Sequence, residues 1–533
     1  MGNDNKLVKG AAILSIAMIT VKAMGMLLRI PLTNWVGKEG MACYGPAYTV
    51  YGILLILSTG GVPIAISRLV SENIALGRYR NAHKVFRLSQ GVMVAIGVAT
   101  SLLCLFGAGA LANLAGVPGS KLAIMATAPA LLFVPIVSSF RGYFQGRQNM
   151  RPSALSEVTE QLFRVFVGLG LAWFFLSAGV QKAVAGATFG ASVGAFAAMG
   201  LMFTIYLCSR RTFQAKIDNG DQMVEESTAI VKKIIVIAIP IVIGAELLPI
   251  LNSIDMVIIS RRLQETGWTK VAAEGQYGLL TGFCNPIIAL PQVFTQAVEI
   301  SMVPAIARGF AAKNRIAVQR DIALAYRTTM IMAVPCAIGI FALAGPILHL
   351  FYPSRPVDAD AAASTLMIFA LGVVTIAMFQ TTTGALQAIG KQNLPVRNLL
   401  IGAVVKVALT YYLVGIPWMN IKGAAIGTMT AETIGFVLNH MAVKRYTKTQ
   451  FNVGATVWKP LLAASVMGLG VVGVHWLLVG LLGNSLATML AVLVGMVLYG
   501  VVILGSGAIT VEELEGFPGG RRLAGLVRKR FKK

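Results

Sequence analysis

The sequence predicts an all-α integral membrane protein with fourteen transmembrane helices. Three observations lead to this fold class. Hydrophobic residues make up 56% of the 533 positions and charged residues only 12%. Apolar runs of about 20 residues recur along the chain, each long enough to cross a bilayer as a helix. Basic residues concentrate in the short segments between these runs. A soluble domain carries roughly 25% charged residues, so a soluble fold could not cover its surface with this composition.

The apolar runs are predicted to be helices rather than strands. Inside lipid every backbone N–H and C=O needs a partner within the protein, so a spanning segment is a helix or part of a closed barrel. Barrel strands alternate apolar and polar residues over roughly ten positions, and this alternation is absent from the sequence. The predicted spans are 9–34, 41–60, 88–114, 122–140, 155–178, 182–208, 230–259, 276–303, 326–350, 361–388, 396–414, 420–443, 457–480 and 485–508.

The distribution of Lys and Arg predicts the orientation of the chain. If the N-terminus is cytoplasmic, 33 of the 45 Lys and Arg residues fall in cytoplasmic segments or at the cytoplasmic ends of spans, eight in outside loops or at the outside ends of spans, and four deeper within spans. This excess follows the positive-inside rule, and an error of one span would destroy it. We therefore expect both termini in the cytoplasm. The same distribution explains the net charge of +24, so we expect no nucleic-acid partner.

An internal repeat groups the spans into two sets of six. The segment GRQNMRP at 146–152 recurs as GKQNLP at 390–395, and GATFG at 186–190 recurs as GAAIG at 423–427. Six is an even number, so two parallel six-helix repeats should share one orientation and surround a central cavity. The predicted domains are an N-lobe at 1–225, a C-lobe at 226–450, two further helices at 451–510 and a basic cytoplasmic tail at 511–533.

Basic residues within the spans are the first candidates for a binding site, because ionisable groups in lipid are costly and usually functional. Lys22 and Arg29 lie seven residues apart in the first span and share a helix face. They predict a cationic wall for an anionic substrate, although snorkelling toward the interfaces is an alternative explanation. In the fifth span, Glu160 and Arg164 stand at i and i+4, and we interpret them as an ion pair that neutralises itself within the helix.

Uncharged polar residues predict a lining for the cavity. Four polar residues of the eighth span fall within one sector of a helix that turns 100° per residue, and two glutamines of the tenth span lie seven residues apart. Hydrogen bonding between helices is the alternative interpretation. These candidate lining residues are Asn285, Gln292, Gln296, Glu299, Gln380 and Gln387.

Acidic residues within the spans are candidates for binding a coupling cation. Glu246 and Asp255 lie in the seventh span, and carboxylates suit hard cations. Pairing with a basic residue such as Lys406 is the alternative. Glu432 is the lone acid of the twelfth span. We expect transport to be driven by Na⁺, by H⁺ or by the membrane potential.

No pattern in the sequence predicts an enzyme. A phosphate-binding loop and an HExxH motif are both absent. The four histidines are scattered, and the five cysteines lie in or near spans without a CxxC. We therefore expect no catalytic residue, no metal site and no cofactor. Tyr44, Tyr48 and Tyr51 line one face near the end of the second span, where tyrosines are most often interfacial anchors.

Three segments together resemble a known family. KAMGMLLRIPL at 22–32, GGVPIAISR at 60–68 and RGYFQGRQNM at 141–150 are similar to the polysaccharide-biosynthesis and stage V sporulation protein B branch of the multidrug/oligosaccharidyl-lipid/polysaccharide (MOP) exporter superfamily. The resemblance covers nearly the whole chain, including the fourteen-helix layout. It implies a flippase for a lipid-linked oligosaccharide in the bacterial cytoplasmic membrane, related to the MurJ-type lipid II flippases.

That resemblance also implies roles for residues. The family has two six-helix lobes around a cationic cavity and a groove of helices 13 and 14 for a lipid tail. Lys22 resembles a basic cavity residue of its first helix, and Arg29 is characteristic of the sporulation-protein branch. MurJ proteins also place basic residues in the second and eighth helices. This chain has none at 45–60 or at 277–302.

We expect the substrate to be an undecaprenyl-pyrophosphate-linked cell-wall precursor, namely lipid II, with its pyrophosphate held by Lys22 and Arg29. Alternating access would carry it to the outer leaflet, and we expect the protein to act as a monomer in the phospholipid bilayer. Three alternatives stay open: a cation-coupled multidrug exporter of the MATE type, a flippase for another polysaccharide or teichoic precursor, and a scaffold for wall or spore-coat assembly.

Overall fold

The computed structural model describes residues 2–218 and 224–507, and it describes their side chains except at positions 2–12, 15, 211–218, 240, 243–248, 252 and 300. Within these ranges the chain is helical and contains no strand. The α-helices are α1 Gly2–Thr59, α2 Val62–Ala75, α3 Tyr79–Leu114, α4 Lys121–Gly146, α5 Arg151–Phe174, α6 Val180–Asp218, α7 Ser227–Glu265, α8 Lys270–Gly278, α9 Asn285–Ala311, α10 Arg315–Ala342, α11 Ala344–Phe351, α12 Pro356–Ala388, α13 Asn393–Val414, α14 Ile421–Thr447 and α15 Lys459–Gly505.

Each of the fourteen predicted spans overlaps one or two of these helices over most of its described length, which confirms the all-α membrane fold. In the described part of the chain, nine stretches are long and apolar enough to cross a membrane. Two of these stretches, Ile16–Ala75 and Gly454–Gly505, contain two predicted spans each. The fifth, seventh and twelfth spans lie on α5, α7 and α14, which have 24, 39 and 27 residues and are also long enough to cross.

Glycines at two sharp bends replace the loops expected between neighbouring spans. The first and second spans follow each other through Gly37, which has φ 63° and ψ −167°. The last two spans follow each other through Gly483, which has φ 71° and ψ 170°. Glycine adopts positive φ without the steric cost of a Cβ. As a result, Arg29 before the first bend and Tyr44 after it come together.

Two compact units divide the chain. Of the described residues, unit 1 contains those at 2–286 and 410–424, and unit 2 contains those at 287–409 and 425–507. In unit 1, α1 packs against α4, α5, α6, α7 and α8. Helix α7 therefore groups with the first half, although the repeat places it in the C-lobe. The two units are defined by packing, whereas the N-lobe and C-lobe were predicted from the sequence repeat. The lobes therefore stay a prediction. The predicted tail at 511–533 lies outside the described residues.

Close helix packing holds α5 in place within unit 1. A Cβ added to Gly190 of α6 would lie 2.5 Å from the carbonyl oxygen of Arg164, and one added to Gly194 would overlap the carbonyl of Glu160. Small residues of this kind let two helix backbones approach closely in a membrane. The backbone that carries Glu160 and Arg164 is thus pressed against α6, which fixes where their side chains begin.

Candidate functional site

A cluster of arginines and tyrosines lies inside unit 1. Arg29 of α1 contacts the rings of Tyr44 and Tyr48, which follow it on the same helix beyond the bend at Gly37. Its Cζ lies 5.9 Å from the Tyr44 ring centroid and 5.6 Å from that of Tyr48. The two rings stack on each other, with centroids 5.6 Å apart and planes inclined by 16°. Cation–π attraction at these distances favours a guanidinium over the ring faces.

Arg164 of α5 reaches the same tyrosine from the other side. Its Nη1 donates to the Tyr48 hydroxyl at 3.4 Å and to Oε1 of Gln161 at 3.3 Å. Tyr48 therefore contacts two guanidinium groups, one at its ring and one at its hydroxyl. Arg164 therefore lies beside the second span, which has no basic residue of its own at 45–60.

Glu160 joins Arg164 to a third arginine. Its Oε1 accepts from Nη2 of Arg164 at 2.9 Å, and its Oε2 accepts from Nη2 of Arg141 at 2.9 Å. Arg141 of α4 also donates from Nε to the Ser156 hydroxyl at 2.9 Å. The side chains of Arg141, Glu160 and Arg164 are only 14%, 13% and 12% exposed. Charge-assisted hydrogen bonds in such surroundings are stronger than neutral ones.

We call Arg29, Tyr44, Tyr48, Tyr51, Arg141, Glu157, Glu160 and Arg164 the basic–aromatic cluster. Glu157 lies one turn before Glu160, and the charge of Arg141 acts on it. Three arginines stand against two glutamates, so the cluster keeps one positive charge in excess. A site with this balance suits an anion.

Two polar atoms of the cluster have hydrogen-bonding capacity left over. Nε of Arg164 and the hydroxyl of Tyr51 are both sealed from solvent and form no well-aligned hydrogen bond within the described residues, although the charge of Arg164 acts on the Tyr51 hydroxyl. A buried donor without a partner costs roughly 1–3 kcal/mol. Both groups are donors of the kind that a phosphate oxygen accepts.

Sequence analysis predicted part of this cluster. The pair of Glu160 and Arg164 forms as expected, but the prediction missed Arg141, which comes from another helix. One signal was available in the fifth span, which carries two acids, Glu157 and Glu160, and only one base, Arg164, on one face. This excess of acid indicates that another helix supplies a cation. The interpretation of the tyrosines as interfacial anchors was wrong, since Tyr44 and Tyr51 are 3% and 2% exposed.

Lys22 lies on α1, seven residues before Arg29. It shares an uninterrupted stretch of α1 with Arg29, so the two side chains lie on the same side of the helix, as their spacing indicates. Lys22 is exposed, whereas Arg29 is half-buried. Its role in binding stays a prediction.

Some of the predicted cavity-lining residues hydrogen-bond to one another in unit 2. Thr295 donates to Oε1 of Gln380 at 2.7 Å, and Nε2 of Gln380 donates to Oε1 of Gln292 at 3.5 Å. This network joins α9 to α12, as the alternative of hydrogen bonding between helices proposes. Gln387 is exposed.

The remaining lining candidates are Glu299, Gln296 and Asn285. Glu299 lies against α12, where a Cβ added to Gly384 would be 2.8 Å from its Cγ. Gln296 is half-buried on α9. Asn285 is the first residue of α9, directly after a π-helical turn at Leu279–Cys284. It therefore shares one α-helix with Gln292, Gln296 and Glu299, although it groups with unit 1 by packing.

The two candidates for cation coupling are placed only in part. The Glu246 side chain lies outside the described residues. Asp255 is half-buried on α7, in the same unit as Tyr277 of α8, on which its charge acts. The described residues contain no group of three or more His, Cys, Asp and Glu side chains that could hold a metal ion. The role of Glu246 and Asp255 in binding a coupling cation stays a prediction.

Unit 2 contains an apolar groove of about 580 Å³. Side chains of α9, α10, α11 and α15 line it, among them Phe294, Cys336, Ile347, Met467 and Met489. The helices of the last two predicted spans form one wall. A groove of this size and composition suits a hydrocarbon chain.

Comparison with protein families gives two matches. Residues 7–310 match the model of the family described as polysaccharide biosynthesis protein. Residues 240–412 match the MatE family model. The first match covers more than half of the chain.

Named relatives agree with these matches. The chain is 27% identical over 490 residues to the lipid II flippase MurJ of Bacillus subtilis (strain 168), which covers 89% of each protein. It is 27% identical over 444 residues to stage V sporulation protein B of the same organism, which covers 82% of this chain and 83% of that protein.

Solved structures show the same fold. The lipid II flippase MurJ in an inward closed conformation has a TM-score of 0.67 at 17% identity, covering 92% of this chain and 98% of that one. A multidrug resistance MATE family transporter of the MOP superfamily, in an inward-facing conformation, has a TM-score of 0.64 at 16% identity, covering 83% and 99%. At these identities the likeness concerns the fold alone.

Proposed function

We propose, since this chain belongs to the polysaccharide biosynthesis protein family of the MOP superfamily, that it is a flippase for an undecaprenyl-pyrophosphate-linked cell-wall precursor. Lipid II is the substrate we favour, and alternating access is the mechanism. The protein is a multi-pass membrane protein of the transporter type. We further propose that it acts as a monomer in a bacterial cytoplasmic membrane, with both termini in the cytoplasm, and that it catalyses no chemical reaction.

The basic–aromatic cluster is the observation that carries this proposal. A pyrophosphate loses its hydration when it enters the membrane, and this costs many kcal/mol unless cations and hydrogen-bond donors replace the water. Arg29 and Lys22 are the proposed ligands of the pyrophosphate. The excess positive charge around Tyr48 and the unused donor of Arg164 support an anion here.

Two features of unit 2 suit the lipid tail and the sugars of the proposed substrate. The apolar groove lined by α15 suits part of the undecaprenyl tail, so that the tail stays in an apolar environment while the headgroup crosses. The half-buried amides of Gln292, Gln296 and Gln380 suit the hydroxyl groups of sugars, since amides both donate and accept hydrogen bonds.

The multidrug exporter is the second candidate, because residues 240–412 match the MatE model. Exporters of cationic drugs need an acidic site. Asp255 and Glu246 keep this function open, whereas the excess of arginine in the basic–aromatic cluster opposes it. The same two acids are our candidates for coupling to Na⁺ or H⁺ if the membrane potential alone does not drive transport.

Reconstitution tests the proposed function. The full chain is placed in liposomes that contain fluorescent lipid II, and a membrane-impermeant quencher reports how fast the label changes leaflet. We expect the protein to accelerate this exchange over empty liposomes and over liposomes that contain an unrelated membrane protein. No acceleration, together with drug efflux from the same liposomes, would favour the multidrug exporter instead.

A further inference from the structure

Unit 2 contains a half-buried acid and a buried base that the proposed function does not use. Glu432 lies on α14, and its Oε2 is sealed from solvent and has no hydrogen-bond partner within the described residues. Lys406 of α13 is 7% exposed, and it lies one turn after Gly402, whose added Cβ would meet the carbonyl oxygen of Ala431, the residue before Glu432. A buried lysine needs a counter-charge, which explains why an acid lies nearby.

Lys406 and Arg164 of the basic–aromatic cluster occupy similar places in the two halves. In the first half, α5 and α6 meet where Gly194 abuts the carbonyl of Glu160. In the second half, α13 and α14 meet where a Cβ on Gly402 would lie 2.5 Å from the carbonyl oxygen of Ala431. Lys406 follows Gly402 by four residues, as Arg164 follows Glu160. Each half thus carries a buried cation one turn beyond the closest contact of the same helix pair.

The counter-charges in the two halves differ. Both carboxylate oxygens of Glu160 accept hydrogen bonds from arginines, at 2.9 Å each, so this acid is fully solvated by protein donors. Glu432 has one lysine acting on it and one oxygen without a donor. A poorly solvated carboxylate is costly in the membrane, and a proton removes that cost once the lysine finds another partner.

We propose that Lys406 is a second binding position for the anionic headgroup and that Glu432 takes up a proton when the anion replaces it. This inference rests on the proposed function and adds the coupling ion. In balance, an ammonium–carboxylate pair, an anion and a solution proton become an ammonium–anion pair and a neutral carboxylic acid. The only covalent bond formed is the O–H bond of Glu432.

Other titratable groups near Glu432 are few. On α14 the next one is His440, two turns away and in ring contact with Tyr326 of α10. On α12, which packs on α14 where Gly435 faces Phe379, the sequence has no ionisable residue from 361 to 388. On α13, Lys406 is the only Lys, Arg, His, Asp or Glu from 398 to 414. Proton uptake on anion binding is therefore assigned to Glu432.

Direct measurement of proton uptake tests the inference. The full chain in non-ionic detergent is titrated with undecaprenyl pyrophosphate in weak buffer near neutral pH, while a pH indicator reports protons and fluorescence reports binding. We expect the wild type to take up roughly one proton more per bound lipid than Glu432→Gln, as proton linkage requires. The ligand's own protonation is common to both proteins and cancels. Glu72→Gln, at an exposed acid, serves as the control and should match the wild type.

The outcomes separate the inference from the proposed function. Binding without a difference in proton uptake between wild type and Glu432→Gln would overturn the inference and leave the flippase proposal standing. Failure of the wild type to bind would overturn both. If Glu432→Gln does not fold, two other variants test the inference. Glu432→Asp should retain the proton uptake, and Lys406→Gln should lose both affinity for the lipid and proton uptake. Proton uptake that persists in Lys406→Gln would also overturn the inference.

Discussion

Replacing Glu160 by glutamine is the perturbation that most sharply tests the basic–aromatic cluster. The carboxylate accepts two charge-assisted hydrogen bonds, from Arg141 and Arg164, at 2.9 Å each. Glutamine has nearly the same shape, but it keeps one acceptor and turns an NH₂ donor toward the other arginine. Two guanidinium groups that are 14% and 12% exposed then lose their shared counter-charge.

The expected loss of stability follows from that geometry. Removing one partner of a buried ion pair costs about 3–5 kcal/mol. Glutamine keeps one acceptor, so we expect the lower end, roughly 3 kcal/mol, for Glu160→Gln. Equilibrium unfolding in mixed detergent micelles, followed by circular dichroism, measures the loss.

The control for this measurement is Glu72→Gln. Glu72 accepts from Arg68 at 2.8 Å, but these side chains are 53% and 66% exposed. Exposed pairs contribute about 0.2–1 kcal/mol, so this variant should lose far less stability than Glu160→Gln. Equal losses in the two variants would refute the claim that the arginines depend on Glu160.

Three further predictions concern the same network and its supports. Tyr48→Phe keeps the ring that Arg29 contacts and removes the hydroxyl that holds the guanidinium of Arg164 in place. Pyrophosphate binding should therefore weaken by about fivefold, equivalent to about 1 kcal/mol for one hydrogen bond; unchanged affinity in a lipid titration would contradict this. Gly194→Ala forces α5 and α6 apart and should cost about 1–3 kcal/mol in the unfolding assay, whereas Gly200→Ala meets nothing within 4 Å and should not destabilise. Thr295→Val removes the donor to Gln380 and should cost about 1 kcal/mol, and a double-mutant cycle with Gln380→Leu should show coupling; additive effects would contradict it.

The fold was predictable because its signals are local. An apolar run of sufficient length forms a spanning helix wherever it occurs, so all fourteen spans appear on helices. The pairing of Glu160 with Arg164 is local for the same reason, since four residues make one turn. The alignment of Lys22 with Arg29 needs only a helix without interruption.

Contacts between helices were not predictable from one sequence. The hydrogen bond of Arg141 to Glu160 depends on how α4 and α5 rotate about their axes, which no periodicity specifies. The position of Tyr48 between two arginines depends on the sharp bend at Gly37, and that bend buries tyrosines that would otherwise suit a membrane interface.

The central claim is that Lys22 and Arg29 bind the pyrophosphate of the substrate. Its most direct test is the rate at which lipid II changes leaflet in liposomes that contain the double variant Lys22→Ala, Arg29→Ala. We expect the rate to fall at least about tenfold below wild type, because one lost charge-assisted hydrogen bond is worth roughly 1.5–3 kcal/mol. Lys313→Ala, Arg320→Ala removes two exposed cations from the chain and should leave the rate unchanged. Equal rates for the wild type and the first-helix variant would contradict the assignment of the pyrophosphate to these two residues.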